Sequence, residues 1–203
     1  MNKKVIIIGA GGHSKVVADI VRKNGDFVEG FLDDAHETAV EFYGSKILGK
    51  TEKYLEYVED CYFIIAIGNN AVREKISNKL NCKWYTGIHP TAVVSHSAII
   101  GEGTVVMPNA VINADAHIGK HTIINTGSIV EHDCTVGNYT HVAPKSVVCG
   151  ASNIGNSMWL GTGGTVINLI DVCDNVMLGA GAVVVKNIDE TGTYVGVPCK
   201  KIK

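Results

Sequence analysis

No two of the six cysteines form a C-x-x-C pair. They stand apart at Cys61, Cys82, Cys134, Cys149, Cys173 and Cys199, so neither a zinc site nor a disulfide framework is indicated. An excess of one charge is also lacking. The 18 basic residues are balanced by 20 acidic ones, which gives no reason to expect nucleic acid or an anionic membrane as a partner. No apolar run approaches the length of a membrane span. Residues 1–10 pass from Lys3-Lys4 straight into Val5-Ile6-Ile7-Ile8, too short for the apolar region of a signal peptide and without a small-residue cleavage site. The expected location is the cytoplasm. At 203 residues the chain has room for one large or two small domains with real cores.

What is present is a repeat. An aliphatic residue recurs at every sixth position from Ile88 through Val94, Ile100, Val106, Ile112, Ile118, Ile124, Val130 and Val136 to Val184 without interruption. Two residues before most of them sits a small side chain, as at Ala92, Ala98, Thr104, Ala110, Thr122, Ser128 and Cys134. A fixed hexad period predicts a parallel β-helix. Three hexads make one triangular coil of 18 residues, with the branched side chain inward and the small one at the corner, which is the left-handed β-helix. At about 4.8 Å per coil the prism is on the order of 27 Å tall.

The first 86 residues read differently. Val5–Ile8 is a buried strand, Gly9-Ala10-Gly11-Gly12-His13-Ser14 a glycine turn, and Val16, Val17, Ile20 and Val21 one face of a helix. A second strand, Phe27–Leu32, stops at Asp33-Asp34. An irregular piece containing Gly44 and Gly49 follows, then a short helix for which Thr51 is a candidate cap. Cys61–Ile67 is a third strand ending in Gly68-Asn69-Asn70, one of those asparagines capping the next helix. Alternating strands and helices predict an α/β Rossmann-like unit, with ligand loops at the strand ends. The turn departs from the dinucleotide fingerprint at Ser14. A mononucleotide with a pyrophosphate fits better than NAD, with the helix amides favouring the anion and Asp33 and Asp34 accepting from a ribose or uracil donor. The alternative is a glycine turn that only packs helix on strand. Residues 87–189 form the prism and 190–203 a tail covering its open end, with a basic finish at Lys200, Lys201 and Lys203.

Residues 18 apart stack on one another, and this sorts the histidines. His132 lies between Ala114 and Gly150, the two smallest side chains, in open space with Glu131 and Asp133 beside it. A carboxylate bonded to one imidazole nitrogen fixes the tautomer and raises the basicity of the other. Either carboxylate can serve. His132 is expected to be a general base. His141, nine residues on, falls on the opposite side of the prism, so the two share a site only if it lies between subunits. Pro144, Thr162 and Ala180 form another stacked column beside glycines, a shallow channel suited to an extended ligand. His89, His96, His117 and His121 are expected on the solvated surface, and no column holds three metal ligands.

Together, Gly11-Gly12-His13-Ser14, Phe31-Leu32-Asp33-Asp34, Ile65-Ala66-Ile67-Gly68-Asn69-Asn70, Val130-Glu131-His132-Asp133-Cys134 and Gly196-Val197-Pro198 give a whole-length resemblance. The chain resembles the sialic-acid O-acetyltransferase family of hexapeptide acyltransferases, and within it looks most like the N-acetyltransferases of UDP-4-amino sugars. The resemblance implies a homotrimer with active sites between prisms, acetyl-CoA along the β-helix and no metal. It also implies a nucleotide-activated amino sugar held by the N-terminal unit. It assigns His132 as base and Asp133 as its partner. His141, Thr162 and Ala180 correspond to acetyl-CoA contacts, Gly11, Gly12 and His13 to the sugar-nucleotide turn, Asp33 and Asp34 to uridine contacts, and Gly68 to the wall facing the sugar. O-acetylation of a surface sugar and a non-catalytic sugar-nucleotide scaffold are the competing readings.

Overall fold

The computed structural model describes residues 2–203. Its N-terminal part runs β1 (Lys4–Ile8), α1 (Gly12–Lys23), β2 (Phe27–Leu32), β3 (Glu41–Phe42), β4 (Ser45–Gly49), a 3-10 turn at Thr51–Glu56, β5 (Tyr62–Ile65), α2 (Asn70–Lys79) and β6 (Lys83–Trp84). The strands form one sheet in the order β3-β4-β2-β1-β5-β6, parallel except for the β3–β4 hairpin. Val5, Ile6, Ile7 and Ile8 are all buried, because both faces of the sheet are covered and a continuous β-branched run suits a strand without a wet side. Helix α1 lays Val17, Ala18, Ile20 and Val21 on the sheet. Asn69 caps α2, its Oδ1 accepting from the Val72 amide at 3.0 Å.

Two local expectations are corrected here. The piece around Gly44 is not irregular but a two-residue hairpin, with Tyr43 and Gly44 at φ 47° and 72° in its turn, the pattern of a type I′ connection. A tyrosine in the first turn position hid it. Thr51 is not a cap: Lys50 holds that place without a side-chain bond, and the Thr51 amide donates to Asp34 Oδ1 at 2.8 Å.

From Gly87 the hexad column becomes a three-sided parallel β-solenoid of the left-handed β-helix type. The first face stacks Gly87–Ile88, Val105–Val106, Ile123–Ile124, His141–Val142, Trp159–Leu160 and Val176–Leu178; the second runs from Val93–Val94 to Val183–Val184, the third from Ile99–Ile100 to Asp171–Val172. Each strand pairs with the one 18 residues on, as Ile124 does with Val142 and Val130 with Val148. The aliphatic column points inward and fills the core. Hydroxyls of the small column turn inward too and find backbone carbonyls, most of them on the adjacent coil: Thr104 bonds Gly119 O, Thr122 bonds Gly137 O and Thr140 bonds Gly155 O at 2.7–2.9 Å, while Ser128 bonds Asn125 O of its own coil. Every sixth residue from Gly103 to Gly181 has positive φ, which turns the corners. Where that residue is His121, Tyr139 or Leu169 the corner costs on the order of 1 kcal/mol, offset by the pairing it permits.

The N-terminal unit sits on the early coils of the first face. Val105, Met107 and Ile123 join Val5, Val17, Ile20 and Tyr85 in one apolar cluster across the junction. This packing overturns the solvated reading of two histidines. His121 is 3% exposed and His89 4%. The His121 ring meets Trp84 edge-on at 4.6 Å and stacks on Tyr139 at 5.7 Å, and His89 is held by Lys23 and Thr91. Counting in eighteens assigns a side chain to a face, but does not reveal what covers that face. His96 and His117 are exposed.

In the tail, Ile188 bridges to Val172, Gly192–Val195 runs parallel beside Val176–Leu178, and Lys200–Lys201 folds back antiparallel. Leu178 pairs with Tyr194, a step of 16 rather than 18; the shortened last coil is why the hexad phase stops after Val184.

Removing the buried Ile124 side chain tests the column. Ile124→Ala is expected to lower the unfolding free energy by about 2–5 kcal/mol. Ile99→Ala, at an outward position 60% exposed, should change it by less than about 0.5 kcal/mol. Equal losses in urea titrations would contradict the inward and outward assignment.

Candidate active site

His132 occupies the corner between the second and third faces, after Val130 ends one strand and before Thr135 begins the next. Its ring lies across Gly150, where a Cβ would sit only 2.9 Å from Nε2. On the other side the Asp133 amide donates to Ala114 O at 3.0 Å. Asp133 is one of the positive-φ corner residues, at 59°, a conformation aspartate tolerates better than most. Its Oδ2 accepts from His132 Nδ1 at 2.7 Å. Glu131 is engaged elsewhere, its Oε2 accepting from Asn113 Nδ2 at 2.8 Å. Of the two carboxylates open in the sequence, Asp133 is the partner. Its hydrogen bond is the main reason the His132 pKa stands above the ordinary 6.5. With Nδ1 protonated toward Asp133, Nε2 keeps the lone pair. Both side chains are exposed, at 61% and 60%, and face outward from the chain.

At the corner between the first and second faces, Pro144, Thr162 and Ala180 stack as counted. Gly163 N donates to Pro144 O and Gly181 N to Thr162 O, at 3.0 and 2.9 Å. Thr162 and Ala180 are exposed, and a Cβ on Gly163 or Gly181 would meet nothing within 4 Å. The result is an open strip of backbone along the prism.

His141 lies on the first face, away from His132, and is 6% exposed. Trp159 packs edge-on at 4.3 Å. Asn125, oriented by its Oδ1 accepting from the Thr126 amide at 2.7 Å, donates through Nδ2 to His141 Nε2 at 2.8 Å. The proton is therefore on Nδ1, which is buried without a partner. Burial, then the charges of Arg73 and His13, push the pKa down to about 3, with the Gly68 backbone acting the other way.

Beside it are the ends of β1, β2 and β5. Gly11 and Gly12 open α1 with free space over both, and no side chain caps that helix. His13 Nε2 is buried and unpartnered; burial first and Arg73 second lower its pKa to about 4. Asp33 accepts from the Ala10 amide, the Ala35 amide and His36 Nδ1, each at 2.8 Å. Burial alone would raise its pKa, but those bonds hold the carboxyl below its usual range. Most of its acceptor capacity is thus used in tying the glycine turn to the loop after β2, while Asp34 holds the Thr51 amide. A hollow of about 200 Å³ lined by Leu32, Asp33, Asp34, Thr51, Ile67 and Val72 opens next to them. Gly68 has open space above it.

One residue at this junction escaped the sequence reading. Arg73 is 1% exposed. Its Nε donates to His121 O at 2.8 Å, Nη1 to the Ile67 and Gly68 carbonyls at 3.0 Å, and Nη2 to Asn70 Oδ1 at 2.9 Å and to Tyr139 O. The signal was present: Arg73 shares the α2 stripe of Ile76 and Leu80, where a solvated cation does not belong.

A three-sided solenoid with an aspartate-paired histidine at one corner and a bare backbone strip at another is the architecture of a hexapeptide acyltransferase. The chain matches the PglD N-terminal domain over residues 4–80 and the six-repeat bacterial transferase hexapeptide over residues 115–150. It is similar to the acetyltransferase domain of PglB from Neisseria gonorrhoeae FA1090, with 37% identity, TM-score 0.93 and coverage of 99% of this chain and 100% of that one. It is equally similar to a histidine-to-asparagine mutant of perosamine N-acetyltransferase from Caulobacter crescentus, in complex with CoA and GDP-perosamine. There the identity is 36%, the TM-score 0.94 and the coverage 98% and 97%. UDP-N-acetylbacillosamine N-acetyltransferase of Bacillus subtilis (strain 168) is 39% identical over 112 residues; the match covers 52% of this chain and about half, 51%, of that relative. The chain belongs to the sugar N-acetyltransferase group of the hexapeptide acyltransferases that carry a PglD-type N-terminal domain.

The buried histidines give the fold a pH dependence. The pKa values of His13 and His121 fall to about 4 and that of His141 to about 3, burial being the first cause for each. The folded chain therefore binds fewer protons than the unfolded chain below pH 6.5, so stability is lost as pH falls from there toward 4. The exposed His132, with its raised pKa, works in the opposite sense. Tm should drop between about pH 7.5 and about pH 5; an unchanged Tm would contradict the burial of the three rings.

Proposed function

We propose that the chain transfers the acetyl group of acetyl-CoA to the 4-amino group of a nucleotide-linked sugar, UDP-linked in the first instance, by direct attack. The observation that carries this is the His132 pair: a free Nε2 held outward over Gly150, with Nδ1 pinned to Asp133. The relatives named for acetylating amino sugars support the substrate class. In the reaction the amine nitrogen attacks the thioester carbonyl and a C–N bond forms. His132 Nε2 takes the proton the nitrogen must lose, the C–S bond breaks, and the CoA thiolate leaves and is protonated. Asp133 holds the ring in the tautomer that accepts and stabilises the imidazolium that forms. Backbone amides of the glycine-rich coils face the developing oxyanion.

In this reading acetyl-CoA lies along the strip at Thr162 and Ala180, with His141 beside it. Residues 1–86 are a Rossmann-like nucleotide-sugar domain, 87–189 the left-handed prism and 190–203 its cap, in a cytoplasmic protein. Gly11, Gly12 and His13 receive the diphosphate, Asp33 and Asp34 border the nucleoside in the hollow at Ile67 and Val72, and Gly68 faces the sugar. The site is completed in a homotrimer. Supporting this, Val93, Val111, Ile129, Val147 and Val183 stand in an outward column on the second face, interrupted by Thr165 and with Val93 63% exposed, while the equivalent column of the first face lies under the N-terminal unit at Val105 and Ile123.

Acetyl-CoA turnover with UDP-, dTDP- and GDP-4-amino sugars, and with sialic acid as a hydroxyl acceptor, tests the proposal. Turnover of sialic acid alone would overturn the amine assignment. His132→Ala is expected to lose about 10²–10⁴-fold in kcat with the substrates still bound, and a loss of only a few fold would remove it as base. Gly150→Ala moves the ring without a backbone penalty, since its φ is not positive. It should lower kcat by roughly tenfold to a hundredfold at unchanged Tm; normal kcat would show that the ring's seat on Gly150 does not matter.

A further inference from the structure

Arg73 is a buried cation for which the described residues supply no anion. Its five N–H groups are all engaged, by the carbonyls of Ile67, Gly68, His121, Tyr139 and Thr140 and by Asn70 Oδ1. Among the described residues no carboxylate lies within ion-pair distance of it. Glu74, next to it in the chain, accepts from Ser157 Oγ, and Glu102 pairs with Lys120. Burying a guanidinium on neutral acceptors is costly unless an anion completes it. The groups around it cannot take that role. His13, His121 and His141 surround the guanidinium, and each has one buried nitrogen without a partner. Two of those rings, with Gly68, border the open glycine turn at Gly11 and Gly12.

We propose that the missing counter-ion is the diphosphate of the nucleotide substrate, with Arg73 as a positioning residue that draws it to the Gly11–His13 turn through space. This rests on the nucleotide-sugar reading above. Arg73 does not touch the ligand, because every donor is already used and the side chain is 1% exposed. Direct contact is left to the α1 amides, with the buried His13 ring beneath them. These hydrogen bonds tie the Ile67–Asn70 loop to the prism, so the charge cannot drift when the ligand leaves. A fixed charge of this kind costs no reorganisation on binding and is screened little by salt.

Arg73→Met would strip the donors from six oxygens and disrupt the junction, so the neighbouring asparagines provide the test. Asn70→Asp puts a carboxylate on the guanidinium and loses the amide bonds to Ser157 O and Met158 O. Asn70→Ala loses the same bonds and adds no charge. Asn69→Asp adds the charge at an exposed cap position and keeps the capping oxygen. Binding of UDP and of uridine to the full chain is measured by calorimetry. UDP should bind Asn70→Asp roughly tenfold more weakly than Asn70→Ala, with Asn69→Asp within about threefold of wild type and uridine affinity the same in all. Equal UDP affinity of the two Asn70 variants, an Asn69→Asp loss as large as that of Asn70→Asp, or a matching loss for uridine would each overturn the proposal. A wild-type chain that binds neither UDP nor GDP would instead overturn the nucleotide reading, and this inference with it.

Discussion

The pairing of each residue with the one 18 positions on is the constraint from which the prism and its chemistry follow. It puts an aliphatic side chain inside at every hexad and a satisfied hydroxyl or a small group at the corner. It also decides what stands above and below any exposed residue. His132 is free to act because position 150 in its column is glycine. Asp133 reaches it because the corner requires positive φ, and an aspartate accepts that conformation. The proposed base is thus a product of the repeat, at a place where two small neighbours flank it in its column.

The second organising element is the junction between the N-terminal sheet and the first face. Arg73 joins the loop after β5 to two successive coils, and Val105 and Ile123 give it an apolar floor. Three histidines become neutral there because burial and a common cation both disfavour their charge. The two histidines of the proposed reaction are therefore opposites. His132 is exposed with a raised pKa, whereas His141 is enclosed with a lowered one. A proton acceptor and a fixed neutral donor are what those environments make.

The parts legible in the sequence are those governed by a short period. Seventeen aligned aliphatic positions defined the prism, and counting placed His132 against Gly150 and Thr162 against Pro144 and Ala180. Strand Phe27–Leu32 and an asparagine cap on α2 are also local features, and both are found, the structure choosing Asn69 over Asn70 for the cap. What could not be read was set by contacts distant in the chain. His89 and His121 are buried by a unit that packs over them, and neither neighbour sequence announces it. The choice of Asp133 over Glu131 turned on Asn113, which captures the glutamate from the coil 18 residues earlier. Arg73 shows both sides: its position on the apolar stripe of α2 was visible, but its six partners lie up to 67 residues away.

Nothing in a single chain brings His132 and His141 together, and a site that uses both must be shared between copies. Co-refolding His132→Ala with His141→Ala tests this directly, since in the proposed homotrimer each variant alone would lack one half of every site. In a ring of copies mixed at random and in equal amounts, about one interface in four unites an intact His132 with an intact His141. The account predicts that two inactive preparations regain about a quarter of wild-type activity on mixing. A mixture as inactive as its components, with both variants assembled, would contradict it.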